Sequence, residues 1–151
     1  MTPSTFSVVA LLLLGCSCQA QTDARILSAI GQVEGGVRLQ RGDSGRAYGL
    51  YQTHPEAWAT GNAQLTKEGR KTYSLRGWKD PTAQDMVAAA LLRYLRGRLQ
   101  TDGIPDPTPE QLALCWGMGY AGAKSVGFSV DQAPTAKASY ARRVGNLARA
   151  K

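Results

Sequence analysis

Glu34 occupies a position in the sequence where a carboxyl can act as an acid. Leu27 and Ile30 precede it at helical spacing on the same face, and Gly35-Gly36 follows it directly. Glycine past the last periodic residue is a common helix stop, so a helix that ends at Glu34 is predicted, with the carboxyl toward the core. Apolar surroundings and the negative end of a helix dipole both favour a protonated carboxyl. A general acid needs these conditions near neutral pH.

Asp43 and His54 are the next residues with the chemistry of a base. Each also has a structural interpretation. Asp43 precedes Ser44-Gly45, which is typical of a turn, and His54 stands directly before Pro55. The sequence therefore offers one acid and two alternative partners for it.

The cysteine and histidine content argues against a metal site. The chain has three cysteines and one histidine, with no C-x-x-C or H-x-x-x-H spacing. We therefore expect no metal site. Cys16 and Cys18 belong to the N-terminal segment, whereas Cys115 lies on an apolar helical stripe and is predicted to be a buried free thiol.

The elements around these residues are predicted to be mainly helical. Thr22 is a candidate N-cap for the helix that runs to about Val33. Residues 41–53 carry glycines with tyrosines between them, which indicates a short irregular hairpin. The polar stretch from 61 to 79 is predicted to be a mobile flap. The fold class is therefore α+β, mainly α, with one small sheet.

Three further helices are predicted, and two of them have clear start signals. Asp80-Pro81 and the capping box Thr108-Pro109-Glu110-Gln111 each open one, and the last covers about 134–149. The predicted buried stripes are Val87, Leu91, Leu95 and Leu99; Leu112, Cys115, Trp116 and Gly119; and Ala136, Tyr140, Val144 and Ala148, with Leu147 beside the last.

The N-terminal segment has the features of an export signal. Its apolar stretch from Phe6 to Gly15 is too short to span a bilayer as a helix. Leu13-Leu14-Gly15-Cys16 resembles the lipobox of bacterial lipoproteins, in which the cysteine is lipidated after cleavage and anchors the protein to a membrane. Ordinary cleavage after Ala20 is the alternative. Residues 1–20 are thus assigned to a signal and residues 21–151 to a single domain.

The charge of the chain favours an anionic partner. The formal net charge is +7, and residues 1–20 contain no Lys, Arg, Asp or Glu, so the domain keeps this charge. Nucleic acid is not expected, because the sequence has no nucleic-acid-binding motif and no basic block interleaved with aromatic residues. An anionic polymer of the cell envelope is the better candidate.

Four segments together resemble the superfamily of goose-type lysozymes and soluble lytic transglycosylases. Glu34 matches its helix-ending glutamate, and residues 42–52, GDSGRAYGLYQ, resemble its G-D-x-G-x-x-G-L-x-Q hairpin with one residue more between Gly45 and Gly49. Residues 115–119, CWGMG, are similar to its A-Y-N-A-G helix end. Residues 140–144, YARRV, match a tyrosine that is followed shortly by a basic residue and then a valine. Their order and spacing agree over about residues 26–147.

The resemblance implies a lysozyme-like fold and cleavage of the β-1,4 bond between N-acetylmuramic acid and N-acetylglucosamine in peptidoglycan, without a cofactor. Glu34 would be the catalytic acid. An inverting lysozyme, or muramidase, would need Asp43 or His54 as the base. A lytic transglycosylase needs no second carboxylate, because groups of the sugar complete the reaction. The residues expected to contact substrate are Tyr48, Gly49, Tyr51, Gln52, Trp116, Gly119, Tyr120 and Tyr140, with core packing as the alternative for each aromatic residue.

Three positions depart from the family pattern. Gly117 replaces the asparagine of A-Y-N-A-G, His54 lies where the goose-type pattern has a second aspartate, and Tyr51 replaces a methionine. The open alternatives are a chitin-directed glycosidase and a lipoprotein that binds cell-wall glycan without cleaving it. In each case we expect export to the periplasm or cell envelope, or secretion.

Overall fold

The computed structural model describes the backbone of residues 6–150 and the side chains of residues 18–150. The lipidation prediction at Cys16 lies outside the described side chains. The helices in the described range are α1 (Phe6–Val33), α2 (Pro55–Lys67), α3 (Pro81–Thr101), α4 (Pro109–Met118), α5 (Tyr120–Ser125) and α6 (Thr135–Arg149). Short 3-10 turns lie at Asp43–Gly45, Leu75–Gly77 and Val130–Gln132.

A two-stranded antiparallel sheet forms the hairpin that the sequence predicts. Strands β1 (Arg41–Gly42) and β2 (Ala47–Tyr48) pair with Arg41 opposite Tyr48, and a further bridge joins Tyr48 to Thr53. The remaining described structure is mainly helical, which confirms the predicted class of α+β, mainly α.

The main hydrophobic core lies among α1, α3, α4 and α6, and a smaller one lies between α2 and α3. Both predicted start signals are confirmed. The Asp80 side chain accepts a hydrogen bond from the Thr82 amide at 2.9 Å, and Thr108 forms the complete capping box with Gln111. The predicted stripe of α3 is buried at all four positions, and Leu112 and Cys115 of α4 are buried as well.

The start of α1 differs from the prediction. Thr22 does not begin the helix but lies within it, where its hydroxyl donates to the Cys18 carbonyl at 3.0 Å. Asp23, in the next position, forms an ion pair with Arg96 of α3 at 2.5 Å between nearly buried side chains, and this pair joins the two helices. No helix in the described part of the chain is long and apolar enough to cross a membrane.

The flap predicted for 61–79 is wrong for its first third, because α2 continues to Lys67. The segment that follows is tied back to this helix. The Asn62 side chain accepts from the Tyr73 amide at 2.8 Å and donates to its carbonyl at 2.7 Å, and the Trp58 indole donates to the same carbonyl at 2.7 Å.

The buried face of α6 is also displaced from the predicted one. Val144 and Ala148 are buried as predicted, but Ala136 is exposed and Leu147 is 40% exposed. Small residues, Ala138 and Ala141, are buried against α4 and α1 instead, which allows close packing of these helices.

Candidate active site

The end of α1 fixes the position of Glu34. Its amide donates to the Ile30 carbonyl at 2.9 Å, the last regular bond of the helix, and the Gly36 amide donates to Gly31 at 2.9 Å. Gly35 and Gly36 have φ of 108° and 71°, so glycine is needed for this termination. The backbone carbonyl of Glu34 accepts from the Gln40 side chain at 2.9 Å. The predicted helix end is confirmed.

The surroundings of Glu34 favour its protonated form. The side chain is partly buried, and this burial raises its pKa above the ordinary value of 4.5. The neighbouring Tyr140 hydroxyl, the Lys137 ammonium and His54 act in the opposite direction but do not cancel the effect of burial on the pKa. Glu34 therefore keeps its proton to a higher pH than an exposed glutamate would.

Tyr140 approaches Glu34 from the middle of α6. Burial, followed by the charge of Glu34, raises the pKa of its hydroxyl. This hydroxyl is buried without a formed hydrogen bond to any described residue, although the Glu34 carboxyl is close enough to affect its ionisation. A Cβ at Gly117 would lie 3.0 Å from both Cδ1 and Cε1 of the Tyr140 ring. The ring therefore occupies the space that a side chain at position 117 would take.

An open groove of about 690 Å³ lies beside these residues. Its wall includes Gln52, His54, Trp116, Gly117 and Lys137. Glu34 is not part of this wall, but His54 and Lys137, which are, affect its pKa. The carboxyl is therefore near two residues of the groove but does not line the groove itself.

The hairpin brings the two candidate bases together. His54 Nε2 lies 3.5 Å from Asp43 Oδ2, and the Arg46 guanidinium donates to Asp43 Oδ1 at 3.2 Å. Both oxygens of Asp43 therefore face a basic group, although the carboxylate is half exposed. Asp43 and Ser44 have φ of 47° and 55°, so the turn interpretation of this residue is also confirmed.

Gln52 lines the groove at the end of the hairpin. Its backbone adopts φ of 46°, and its side-chain amide donates to the Gly49 carbonyl at 2.7 Å. Gly49 itself has a structural role, since its φ is 73° and a Cβ there would lie 2.5 Å from the Gln84 side chain. Gln84 donates to the Arg38 carbonyl at 2.9 Å and accepts from the Leu50 amide at 2.8 Å, which attaches the hairpin to α3.

Two tyrosines predicted to contact substrate lie elsewhere. Tyr51 is buried, and its hydroxyl donates to Asp85 at 2.8 Å, so it belongs to the core and contacts the Asp85–Arg38 ion pair. Tyr48 lies on the outer part of the hairpin, where its hydroxyl accepts from Arg41 at 3.0 Å and its ring meets Trp78 edge-on at 5.6 Å. Neither residue lines the groove.

The residues that line the groove also include Gly119 and Tyr120, beside Trp116. The Trp116 indole donates to the Tyr51 carbonyl at 3.3 Å, and the Tyr120 hydroxyl donates to Asp102 at 2.9 Å. Both rings are partly buried, so packing and groove lining are combined in the same residues. Cys115, also in this wall, is buried, and desolvation raises the pKa of its thiol to about 12, as expected for an inert thiol.

Lys137 is a groove residue that the sequence analysis did not identify. Its ammonium donates to the Gly117 carbonyl, and it lies one turn before Tyr140 on α6. The spacing of three between Lys137 and Tyr140 was the available signal, because such residues share a helix face. Among the described residues, no group of His, Cys, Asp and Glu side chains has the arrangement of a metal site.

No family model, curated protein or solved structure matches this chain.

Proposed function

We propose that this protein has a lysozyme-like fold and cleaves the glycan strands of peptidoglycan, with Glu34 as the catalytic acid. The observation that carries the proposal is a partly buried carboxyl with a raised pKa, fixed at a helix end, with two residues of an open groove, His54 and Lys137, near enough to affect its ionisation. The four-segment resemblance over residues 26–147 points to the β-1,4 bond between N-acetylmuramic acid and N-acetylglucosamine.

The replacement of the family's second aspartate by His54 favours a lytic transglycosylase over a hydrolase, because a transglycosylase needs no second carboxylate. In the proposed reaction, Glu34 gives its proton to the glycosidic oxygen as the C1–O bond breaks. The resulting carboxylate then takes the proton of the substrate's own C6 hydroxyl while that oxygen attacks C1. The product ends in a 1,6-anhydro ring, and Glu34 is protonated again.

The charge of the protein fits the proposed substrate. Peptidoglycan carries carboxylates on its peptides, and the protein has a formal net charge of +7. Attraction between the two polymers would raise the rate at which they associate, in a salt-dependent way.

We further propose that the protein is exported and lipidated at Cys16. The lipobox-like Leu13-Leu14-Gly15-Cys16 supports this proposal. The full chain, expressed in a bacterium, should partition into detergent and carry acyl mass, and Cys16→Ala should abolish both. A soluble wild-type form that begins at Gln21 would contradict lipidation and establish cleavage after Ala20.

Digestion of purified sacculi tests the enzymatic proposal. Wild-type protein should release soluble muropeptides, and Glu34→Gln should lower the rate by at least about 100-fold, as loss of a general acid does. Glu56→Gln is the matched control, because Glu56 lines the groove but is exposed and so lacks the burial of Glu34. It should remain active.

The same assay separates the alternatives. Cleavage of chitin oligosaccharides but not sacculi would replace the proposal with a chitin-directed enzyme. Binding to sacculi without cleavage of either substrate would indicate a wall-binding protein and contradict catalysis.

A further inference from the structure

Arg98 lies at the edge of the groove, beside two of the tyrosines that line it. Its guanidinium donates to the Tyr94 hydroxyl at 2.8 Å, and its Cζ lies 4.4 Å from the centre of the Tyr120 ring. Tyr94 precedes Arg98 by one turn of α3, whereas Tyr120 begins α5, and both tyrosines line the groove. These two contacts, to different helices, place this exposed arginine at one rim of the groove.

The neighbours of Tyr120 hold its ring in place against the guanidinium. The Tyr120 hydroxyl donates to Asp102 at 2.9 Å, and its ring packs against Phe128 with the two ring centres 5.4 Å apart. The Asp102 carboxylate in turn forms an ion pair with Lys124 at 2.8 Å. The ring that faces Arg98 is therefore positioned before any ligand binds, which lowers the entropic cost of binding.

The charge of Arg98 is not balanced by an ion pair. Within the part of the chain that the structure describes, no carboxylate lies within 4.0 Å of its guanidinium nitrogens. Asp102 belongs to the same group of side chains, but Lys124 offsets its charge. The positive charge of Arg98 therefore remains.

The groove wall itself has no excess of either charge. Its formally charged residues are one acid, Glu56, and one base, Lys137. Arg98 therefore makes this rim of the groove positive. A guanidinium has five N–H donors in a planar fork that fits a carboxylate, and the bond to Tyr94 uses one of them. The rim is thus suited to a carboxylate on a ligand that lies in the groove.

We propose that Arg98 determines specificity in the proposed reaction: its guanidinium, held by Tyr94 and Tyr120, binds a carboxylate of the peptides that peptidoglycan carries. This inference rests on the proposed function, because it assumes that a glycan strand with such peptides occupies the groove. Chitin has β-1,4-linked N-acetylated sugars but no carboxylate. The charge-assisted hydrogen bonds to Arg98 would therefore favour peptidoglycan over chitin.

Binding to purified sacculi without attached phosphate polymers tests this role. Every variant is made in Glu34→Gln, so that the sacculi stay intact. Arg98→Gln should weaken binding by about tenfold, as loss of charge-assisted hydrogen bonds does. Arg98→Lys keeps the charge but loses the planar fork and should weaken binding by about threefold. Arg25→Gln is the control for one lost charge, because Arg25 is exposed on α1 and does not line the groove. It should weaken binding by less than about twofold, since salt screens distant charges.

Chemically modified sacculi identify the group that Arg98 binds. A carbodiimide and ethanolamine convert the peptide carboxylates to neutral amides. On these sacculi Arg98→Gln should bind as well as its parent, because the group that Arg98 contacts is gone. Equal weakening by Arg98→Gln and Arg25→Gln on native sacculi would show an effect of net charge alone and overturn the inference. A loss of about tenfold that persists on the amidated sacculi would overturn it as well, since Arg98 would then act through another group or through the fold.

The two proposals fail in different ways. Wild-type protein that binds sacculi but leaves them intact would overturn the proposed function, whereas the binding comparison would still report on Arg98. Unchanged binding of Arg98→Gln to native sacculi, with cleavage by the wild type, would overturn the inference and leave Glu34 as the acid. If Arg98→Gln does not fold, Arg98→Lys gives the same comparison on native and amidated sacculi.

Discussion

The hydroxyl of Tyr140, in the middle of α6, lies beside the carboxyl of Glu34, at the end of α1. The candidate site therefore joins the first and last helices of the described chain. Burial raises the pKa of both groups, whereas the Tyr140 hydroxyl lowers the pKa of Glu34. The hydroxyl therefore favours the ionised form of Glu34 and acts against the effect of burial.

The raised pKa of Glu34 predicts a specific dependence of stability on pH. A carboxyl whose pKa is higher in the folded state stabilises the fold fully below its unfolded value, near 4.5, and loses this contribution as pH rises through the folded value. Glu34→Gln does not titrate. Its free energy of unfolding relative to wild type should therefore increase from pH 4 to pH 8.

Urea denaturation of both proteins at several pH values measures this difference. The other carboxyls, including Glu68, whose pKa the Arg93 guanidinium holds below its usual value, are common to both proteins and cancel. A difference that stays constant over this range would contradict the raised pKa.

The contact between Gly117 and the Tyr140 ring predicts how a methyl group added at position 117 changes the stability of the protein. Gly117→Ala places a Cβ 3.0 Å from two ring atoms of Tyr140, so the ring must shift, and we expect a destabilisation of about 1 kcal/mol. Gly97→Ala is the matched control, because Gly97 lies within α3 with nothing near its Cβ position. It should stabilise the protein by about 1 kcal/mol through helix propensity. Equal stabilisation by both substitutions, measured by urea denaturation, would show that the Tyr140 contact does not constrain position 117.

The ion pair between Asp23 and Arg96, which joins α1 to α3, predicts a large loss of stability when one partner is removed. Asp23→Asn leaves the nearly buried Arg96 without its partner and should lower the free energy of unfolding by about 3 kcal/mol. The double variant Asp23→Leu/Arg96→Met removes both charges and should recover most of this loss. A loss below about 0.5 kcal/mol in the single variant, as for an exposed pair, would contradict the burial of this contact.

The effect of substituting Asp43 or His54 on the cleavage rate distinguishes a transglycosylase from a hydrolase. In a transglycosylase no water is activated, so Asp43→Asn and His54→Ala should each lower the rate of sacculus cleavage by less than about tenfold. In an inverting hydrolase, loss of the base should cost on the order of 100-fold or more. Asp131→Asn is the control, because Asp131 also faces an arginine but lies on the exposed surface.

The parts of this structure that the sequence predicted are those determined by neighbouring residues. The end of α1 depends on Gly35-Gly36, and the starts of α3 and α4 depend on Asp80-Pro81 and on the Thr108 capping box. Each signal and its consequence lie within a few residues of one another. Local sequence is therefore sufficient to predict them.

The errors concern contacts between distant segments. Gly61 is the first residue of the stretch predicted as a flap, but it lies inside α2, where its Cβ position is 2.6 Å from the Val87 carbonyl of α3. Glycine is there because the two helices pack closely. Tyr51 is directed by the hydrogen bond that its hydroxyl donates to Asp85 of α3. Lys137 reaches the Gly117 carbonyl because α6 packs on α4. None of these partners is near in sequence.

The mass of the soluble products from purified sacculi tests the central claim most directly. A transglycosylase that uses Glu34 should release muropeptides with 1,6-anhydro ends, each one water lighter than the product of hydrolysis, and Glu34→Gln should release none. Reducing-end products from the wild type would show a hydrolase instead. Sacculi left intact by the wild type, or digested equally by Glu34→Gln, would contradict the assignment of Glu34 as the acid of a glycan-cleaving enzyme.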